Sequence, residues 1–139
     1  MVKIEAHVLG KILPHSLEAE QSVLGAMILN KEAINAAIEQ LHPEDFYKEA
    51  NKEIFISMIE LFNRNEPVDI ITLAEELKRR GNLENIGGVT YLADLSGGVA
   101  ITSNIKYYCD IVEEKSILRR LIKSCDEIMG KSYEDSEEV

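Results

Sequence analysis

Apolar residues recur at intervals of three and four along most of this chain, which is the spacing of one face of an α-helix. In residues 13–29, Ser16 stands at the expected N-cap, and Glu18 and Glu20 place negative charge in the first turn, where the helix dipole favours it. The predicted buried face of this first helix comprises Leu17, Leu24, Met27 and Ile28. No segment alternates apolar and polar residues long enough to indicate a strand, so the pattern predicts an all-α fold.

Caps and helix breakers divide the next residues into four more helices and predict a compact multi-helix head. Asn30 is placed to cap the second helix, and Pro43 ends it and then opens a short turn with Phe46 as a buried plug. Asp69 caps the fourth helix, which ends at Gly81. The expected buried positions are Ile34, Ala37, Ile38 and Leu41 in the second helix, Ile54, Phe55, Met58, Leu61 and Phe62 in the third, Ile70, Leu73 and Leu77 in the fourth, and Val89, Leu92 and Leu95 in the fifth.

From residue 103 or 104 to Gly130 the helical period continues without a break, which predicts one helix of about 27 residues, against a globular mean of about 11 or 12. Its near-heptad apolar seam comprises Ile105, Tyr108, Ile111, Val112, Leu118, Leu121, Ile122, Cys125, Ile128 and Met129. The apolar surface of this seam is larger than a small helical head can cover. Two interpretations stay open: it is an interface with another protein, or its residues pack on the head or on a missing second arm.

These patterns divide the chain into four parts. Residues 1–12 are predicted to form a flexible tail, residues 13–102 the helical head and residues 103–131 the long helix. The acids in residues 132–139 suit the first turn of another helix, so this part is predicted to begin a truncated second arm or a linker. The long helix would then be the first arm of a helical hairpin.

The charge balance argues against a protein that holds phosphates. Lys and Arg number 15 and Asp and Glu number 25, which gives a formal net charge of −10, whereas nucleic-acid binding needs a concentrated basic face. The cluster Lys78, Arg79 and Arg80 is interpreted as part of a solvated helix, in which Glu75 pairs with Arg79 and Glu76 with Arg80. The glutamates in general are expected on helix faces opposite the apolar stripes.

No group of residues forms a recognisable catalytic or metal site. Cys109 and Cys125 lie about 24 Å apart on one predicted helix and cannot pair within it. His7, His15 and His42 are scattered, without partners at zinc-ligand spacing. The glycine pairs lack the phosphate-binding motifs GxGxxG and GxxxxGK[ST]. We therefore assign no catalytic, cofactor-binding or metal-binding residue to this chain, and a free-standing enzyme is the weakest alternative.

A DNA-binding module is the main alternative, because residues 69–95 read superficially as helix, turn and helix. The second of these helices, GVTYLADL, contains no basic residue, which disfavours that interpretation. No apolar run approaches the roughly 20 residues of a membrane span, and the first residues lack the features of a secretory signal. The expected location is the cytoplasm, with no membrane partner.

Four separated motifs carry a resemblance to a known family. They are LPHSLEAEQSVLGAMIL (13–29), LHPEDFYKEANKEIF (41–55), EPVDIITLAEELKRRGNLENIGGVTYLADL (66–95) and NIKYYCDIVEEKSILRRLI (104–122). In this order they resemble the N-terminal domain of the DnaB-type bacterial replicative DNA helicase. The chain departs from the usual pattern at Asn51, where the family more often has histidine, and at Cys109, where alanine is common.

The resemblance implies a role in assembly rather than in catalysis. In this family the domain forms a collar, in which head and hairpin pack pairwise and three pairs close a ring on six motor domains. Those motor domains bind ATP and Mg and translocate 5′ to 3′ on single-stranded DNA, and they are absent from this chain. The implied partners are further copies of the chain, the C-terminal domain of primase and a helicase loader. Single-stranded DNA passes through the ring, and little direct DNA binding is expected here.

Seven apolar or aromatic residues are the candidate contacts. Ile111, Leu118, Leu121 and Cys125 are predicted to mediate self-association. An aromatic residue at a helix end and apolar residues on the hairpin flank are plausible anchors for primase. The residues predicted to face primase are Tyr91, Ile122 and Ile128.

Overall fold

The computed structural model describes residues 12–98 and 104–138, and every regular element within these ranges is helical, which confirms the all-α prediction. The predicted tail, apart from Ile12, and the predicted boundary between head and long helix lie outside the described residues. The helices are α1 (Leu17–Leu29), α2 (Lys31–Gln40), α3 (Glu49–Asn63), α4 (Ile70–Arg79), α5 (Gly88–Gly97) and α6 (Ile105–Glu138), with a 3-10 turn at Pro43–Asp45 between α2 and α3. None of these helices combines the length and apolar character needed to cross a bilayer.

The helices begin at the capping residues that the sequence predicts. Ser16 Oγ accepts a hydrogen bond from the Ala19 amide (3.2 Å), and Asn30 Oδ1 accepts one from the Glu32 amide (2.8 Å). Asp69 Oδ1 accepts one from the amide of Thr72 (2.8 Å). Each bond satisfies an amide that the first turn of a helix leaves without an intrahelical acceptor. Pro43 opens the 3-10 turn, as expected.

Helix α1 lies at the centre of the head and packs against α2, α3, α5 and α6. Its side chains Val23, Leu24 and Met27 are fully buried. Leu17 is instead 37% exposed, and Val89 of α5 is 49% exposed, so the prediction that these two residues are buried is wrong. Both residues lie in the first turn of their helices. Because the Cα–Cβ bond of a helical residue tilts toward the N-terminus of the helix, these two side chains extend beyond the turns that pack in the core.

The carboxylate of Glu20 is buried within the head, contrary to the expectation that the glutamates face solvent. It accepts hydrogen bonds from the amides of Tyr47 (2.7 Å) and Lys48 (3.3 Å) and from Asn51 Nδ2 (2.9 Å). Lys48 is the N-cap residue of α3 and provides no side-chain cap. Glu20 of α1 therefore provides the hydrogen-bond acceptor for the amides at the start of α3. It also lies where the dipole of α3 favours negative charge.

Glu76 is also buried. The predicted solvent-exposed pairs of Glu75 with Arg79 and of Glu76 with Arg80 are therefore wrong. The Glu76 carboxylate accepts hydrogen bonds from Arg64 Nη2 (2.7 Å) and Arg79 Nη2 (2.6 Å), whereas Arg80 lies 3.7 Å from Glu53. Arg64 follows the end of α3, so its contact with Glu76 could not be read from helical spacing within α4. The hydrogen bond from Arg64, followed by that from Arg79, holds the pKa of Glu76 below its usual value.

The long helix extends further than predicted. It continues through Gly130 to Glu138, so residues 132–138 prolong this helix and do not begin the predicted second arm. Gly130 has no positive φ, the conformation that a glycine commonly adopts just beyond a helix end. Ser132 Oγ donates a hydrogen bond to the Ile128 carbonyl (2.9 Å), one turn back, as a serine within a helix does.

We expect Glu20→Ala to destabilise the head, because the main-chain amides of Tyr47 and Lys48 and the side-chain amide of Asn51 lose their acceptor. The free energy of unfolding should fall by about 3 kcal/mol in urea titrations followed by circular dichroism. Glu18→Ala, an exposed change in the same helical turn, is the matched control and should cost less than about 1 kcal/mol. Equal losses in the two variants would contradict the role of Glu20.

The Glu76 ion pairs should make stability fall in acid. Because the pKa of Glu76 in the folded chain lies below its ordinary 4.5, its stabilising effect is present above that pH and is lost as the pH falls through the lowered value. Urea titrations between pH 7 and pH 3 should therefore show a smaller acid-induced loss for Glu76→Gln than for the unchanged chain. Glu75→Gln, on the exposed side of α4, should follow the unchanged chain. Parallel pH profiles for the chain and Glu76→Gln would refute this account.

Candidate protein interface on the long helix

One side of α6 is docked on the head. Cys109, Val112 and Ser116 are buried there at intervals of three and four residues. Ser116 Oγ donates a 2.7 Å hydrogen bond to Oδ1 of Asp45, the buried residue of the 3-10 turn, and Asp45 Oδ2 accepts a 2.8 Å bond from the His42 amide. This side of the helix is therefore held by apolar packing and by a buried polar contact.

The opposite side of α6 carries an exposed apolar surface, which we call the distal strip. Its most exposed members are Leu121 (58%) and Ile128 (66%). Because successive residues of an α-helix are about 100° apart, the strip lies roughly opposite the docked side. The distal strip consists of Leu118, Leu121, Ile122, Cys125, Ile128 and Met129.

The single seam predicted from the sequence therefore divides into two surfaces. Ile105, Tyr108 and Ile111, in its first half, are partly buried and pack against the head core. The second half forms the distal strip and faces away from that core. Ile111 and Leu118 are seven residues apart and therefore lie within about 20° of one another around the helix, so their direction does not separate them. The second half of the seam is exposed because α6 extends beyond the head: none of its described side chains after Ser116 is buried.

Five of the predicted contact residues are brought together on the distal strip: Leu118, Leu121, Cys125, Ile122 and Ile128. Their roles in self-association or primase binding stay predictions. Two predicted residues lie elsewhere in the structure.

Ile111 is partly buried against the head core and is not part of the strip. Tyr91 is half-buried on α5, where its hydroxyl donates a 2.6 Å hydrogen bond to Asn51 Oδ1. Lys48 Nζ lies 4.4 Å from the centre of the Tyr91 ring. Because its hydroxyl and one ring face are already engaged, the structure places Tyr91 in the connection between α3 and α5.

Arg119, which the sequence patterns did not single out, joins α6 to the head at Pro14 and Asp45. Its Nη1 donates to the Pro14 carbonyl (2.9 Å) and its Nη2 to the Asp45 carbonyl (2.7 Å), and its guanidinium lies 5.5 Å from the centre of the Tyr47 ring. Burial lowers the pKa of Arg119 from its usual value. The helical period could have identified this residue, since Arg119 follows buried Ser116 by three positions.

The two cysteines differ in reactivity. Cys109 is buried, and burial raises the pKa of its thiol to about 12, which keeps it protonated and unreactive. Cys125 is exposed on the distal strip. In the parts of the chain that the structure describes, no group of His, Cys, Asp and Glu side chains is arranged to hold a metal ion.

Two of the three cations at the end of α4, Arg79 and Arg80, already lie beside acidic side chains, which weakens the DNA-binding alternative. Arg64 and Arg79 bind the buried Glu76 carboxylate, and Arg80 lies near Glu53. Phosphate binding would require these groups to exchange existing partners for DNA. The distal strip is therefore the better candidate for a functional surface.

Comparison with known proteins identifies the family. The family model described as the DnaB-like helicase N terminal domain matches residues 12–114. The replicative DNA helicase DnaB of Geobacillus stearothermophilus is 46% identical over 129 residues, which are 93% of this chain and 28% of that protein. The chain thus spans little more than a quarter of this relative's length.

Two solved structures share the fold. The N-terminal domain of DnaB helicase from Mycobacterium tuberculosis superposes with a TM-score of 0.85 at 43% identity, and the match covers 88% of each chain. A DnaB-like replicative helicase, described together with its interactions with primase, superposes with a TM-score of 0.75 at 29% identity, covering 84% of this chain and 27% of the other. With the family match over residues 12–114, these similarities show that the chain belongs to the family of DnaB-like helicase N-terminal domains.

Proposed function

We propose that this chain is the collar part of a replicative DNA helicase, where it assembles the ring and provides a docking surface for primase. The observation that carries the proposal is the distal strip, an exposed apolar surface on the side of α6 that faces away from the head. Soluble proteins rarely expose contiguous apolar surface without a binding partner. The family membership indicates what those partners are.

Self-association through the strip follows from its shape. Leu118 to Met129 extends about 17 Å along one helix, which two copies related by a twofold axis can cover mutually. In such a contact the same residues face one another, so Leu121 and Cys125 of one copy meet apolar residues of the other. Pairing of this kind is the first step in building a trimer of dimers.

Primase docking is supported by a relative of known structure, whose description includes interactions with primase. Ile128 is 66% exposed on the strip, and Ile122, six residues earlier in the same helix, is half-buried. These two residues are the proposed anchors for the primase C-terminal domain. Tyr91 is a weaker candidate, because its hydroxyl is already bonded to Asn51. Docking of a helicase loader belongs to the same proposal, without an assigned residue.

The activity of the complete protein is part of the proposal. Relatives that are about 28% covered by this chain are named replicative DNA helicases. We infer that the motor, with ATP and Mg, lies outside this chain and moves 5′ to 3′ on single-stranded DNA in the cytoplasm. We infer that the function of this chain itself is assembly and docking, and we assign no catalytic residue to it.

We expect Leu121→Asp to weaken self-association at least about tenfold, because it places a charge in the apolar contact. Sedimentation equilibrium over a range of concentrations measures the dissociation constant. Ser124→Asp introduces the same charge on an exposed position outside the strip and should leave the constant unchanged. The proposal fails if the unchanged chain is monomeric at all concentrations, or if both variants behave alike.

Ile128→Asp should reduce the affinity for the primase C-terminal domain by about tenfold in isothermal titration calorimetry, since an exposed apolar anchor is lost. Ser124→Asp is again the control for added charge. Sedimentation of the Ile128→Asp variant, measured in parallel, separates weaker docking from loss of assembly. Unchanged affinity would remove Ile128 from the docking surface.

A further inference from the structure

The first half of α6 carries a second exposed surface, on the side of the helix away from the head. Four of its residues follow one another at intervals of three, four and three positions, so their side chains lie on one face of the helix. All four are exposed, although this part of α6 is docked on the head by its other side. We call this surface the proximal stripe, and it consists of Tyr107, Asp110, Glu114 and Ile117.

The two ends of the proximal stripe are large apolar side chains. Tyr107 is 64% exposed and Ile117 is 50% exposed. They lie about 15 Å apart along the helix axis. The ring of Tyr107 meets that of Tyr108 edge to face, with centroids 5.4 Å apart, which restrains the ring and leaves it accessible. An aromatic and an aliphatic side chain at this spacing are suited to anchor a helix of another protein.

The side chains between and beside these anchors are acidic. Asp110 and Glu114 belong to the stripe itself, and Glu113 lies next to it. Gln40 Nε2 donates hydrogen bonds to Asp110 Oδ1 (2.7 Å) and to Glu113 Oε1 (3.1 Å), which joins the end of α2 to this side of α6. Glu39, the residue before Gln40, is exposed and adds a further negative charge at that end.

Lys106 neutralises only part of this charge. Its Nζ donates hydrogen bonds to Asp110 Oδ1 (2.7 Å) and to Gln40 Oε1 (3.3 Å). The bond from Lys106, followed by that from Gln40, holds the pKa of Asp110 below its usual value, so this carboxylate is charged at neutral pH. Lys115 is half-buried and lies about 100° around the helix from Glu114. The stripe and its border with α2 are therefore negative.

The sign of this charge distinguishes the proximal stripe from the distal strip and limits what can bind there. The next charged residues along α6 after Ile117 are basic: Arg119, Arg120 and Lys123. An acidic surface repels DNA, and it also repels a second copy of this chain, whose net charge is −10. A partner that fits the stripe combines apolar side chains for the two anchors with cations for the acids between them.

We propose that the proximal stripe binds a basic amphipathic helix of a partner protein. The apolar face of that helix packs on Tyr107 and Ile117, and its lysines or arginines pair with Asp110 and Glu114. The apolar anchors provide most of the affinity, and the charges select the partner and its register. This binding is separate from the assembly and primase docking proposed above, because those functions use residues 118–129.

A designed peptide tests the proposal on the full chain. The probe is a fluorescein-labelled basic amphipathic peptide, KLLKLLKKLLKLLK, and its control has glutamate in place of every lysine. Fluorescence anisotropy should show binding of the lysine peptide and no binding of the glutamate peptide. In ¹⁵N-labelled chain, the amide resonances that shift on addition of the probe should be those of residues 105–117 and of the end of α2.

Substitutions of the two anchors separate apolar docking from simple charge attraction. Tyr107→Ser and Ile117→Ser should each weaken binding of the lysine peptide at least about fivefold, because each removes an anchor without changing the charge. Val89→Ser is the matched control, since Val89 is 49% exposed on α5, and should leave the affinity unchanged. Circular dichroism checks that all three variants stay folded.

A second pair of variants tests the charges. Glu114→Gln should weaken binding about threefold, whereas Glu84→Gln, which removes the same charge from an exposed position before α5, should not. Three results would overturn the proposal: no binding of the lysine peptide, shifts confined to residues 118–129, or equal affinities in the anchor variants and the unchanged chain. The last result, with all binding lost in about 0.5 M NaCl, would show charge attraction only.

Discussion

Burial of the Glu20 carboxylate constrains most of the head, because a charge inside a protein is tolerated only when its oxygens are hydrogen-bonded. The side chain joins three helices. It belongs to α1, it accepts the amides at the start of α3, and through Asn51 it connects to the Tyr91 hydroxyl of α5. The relative positions of these helices are therefore fixed by one polar network as well as by the apolar core around it.

The same region determines where the long helix leaves the head. Asp45 and Tyr47 lie on either side of Phe46, which is buried in the core, and both contact residues of α6. Arg119 adds hydrogen bonds to two main-chain carbonyls, which are acceptors that no side-chain substitution removes. Directional hydrogen bonds of this kind favour one orientation of α6 on the head, whereas apolar contacts alone would allow the helix to slide along it. The side of α6 that stays exposed follows from this orientation.

Local signals predicted the helix starts and the buried apolar positions well, since a cap such as Ser16 or Asp69 acts within a few residues of itself. The features that sequence reasoning missed depend on residues far apart in the chain. Glu20 and Glu76 are buried because Asn51 and Arg64 are folded against them, and neither spacing nor propensity contains that information. The strip was only half predicted: its residues were identified, but their exposure depends on where the head ends along α6, which the sequence does not show.

Gly130 lies within the last third of α6, where a Cβ atom would meet no neighbouring atom within 4 Å. Glycine is less favourable than alanine in a helix by about 1 kcal/mol, because it gains the most backbone freedom when the helix opens. Helix α6 therefore bends and opens most easily at this residue. A lateral force on the end of α6 therefore bends the helix most easily at Gly130, which leaves the head undisturbed.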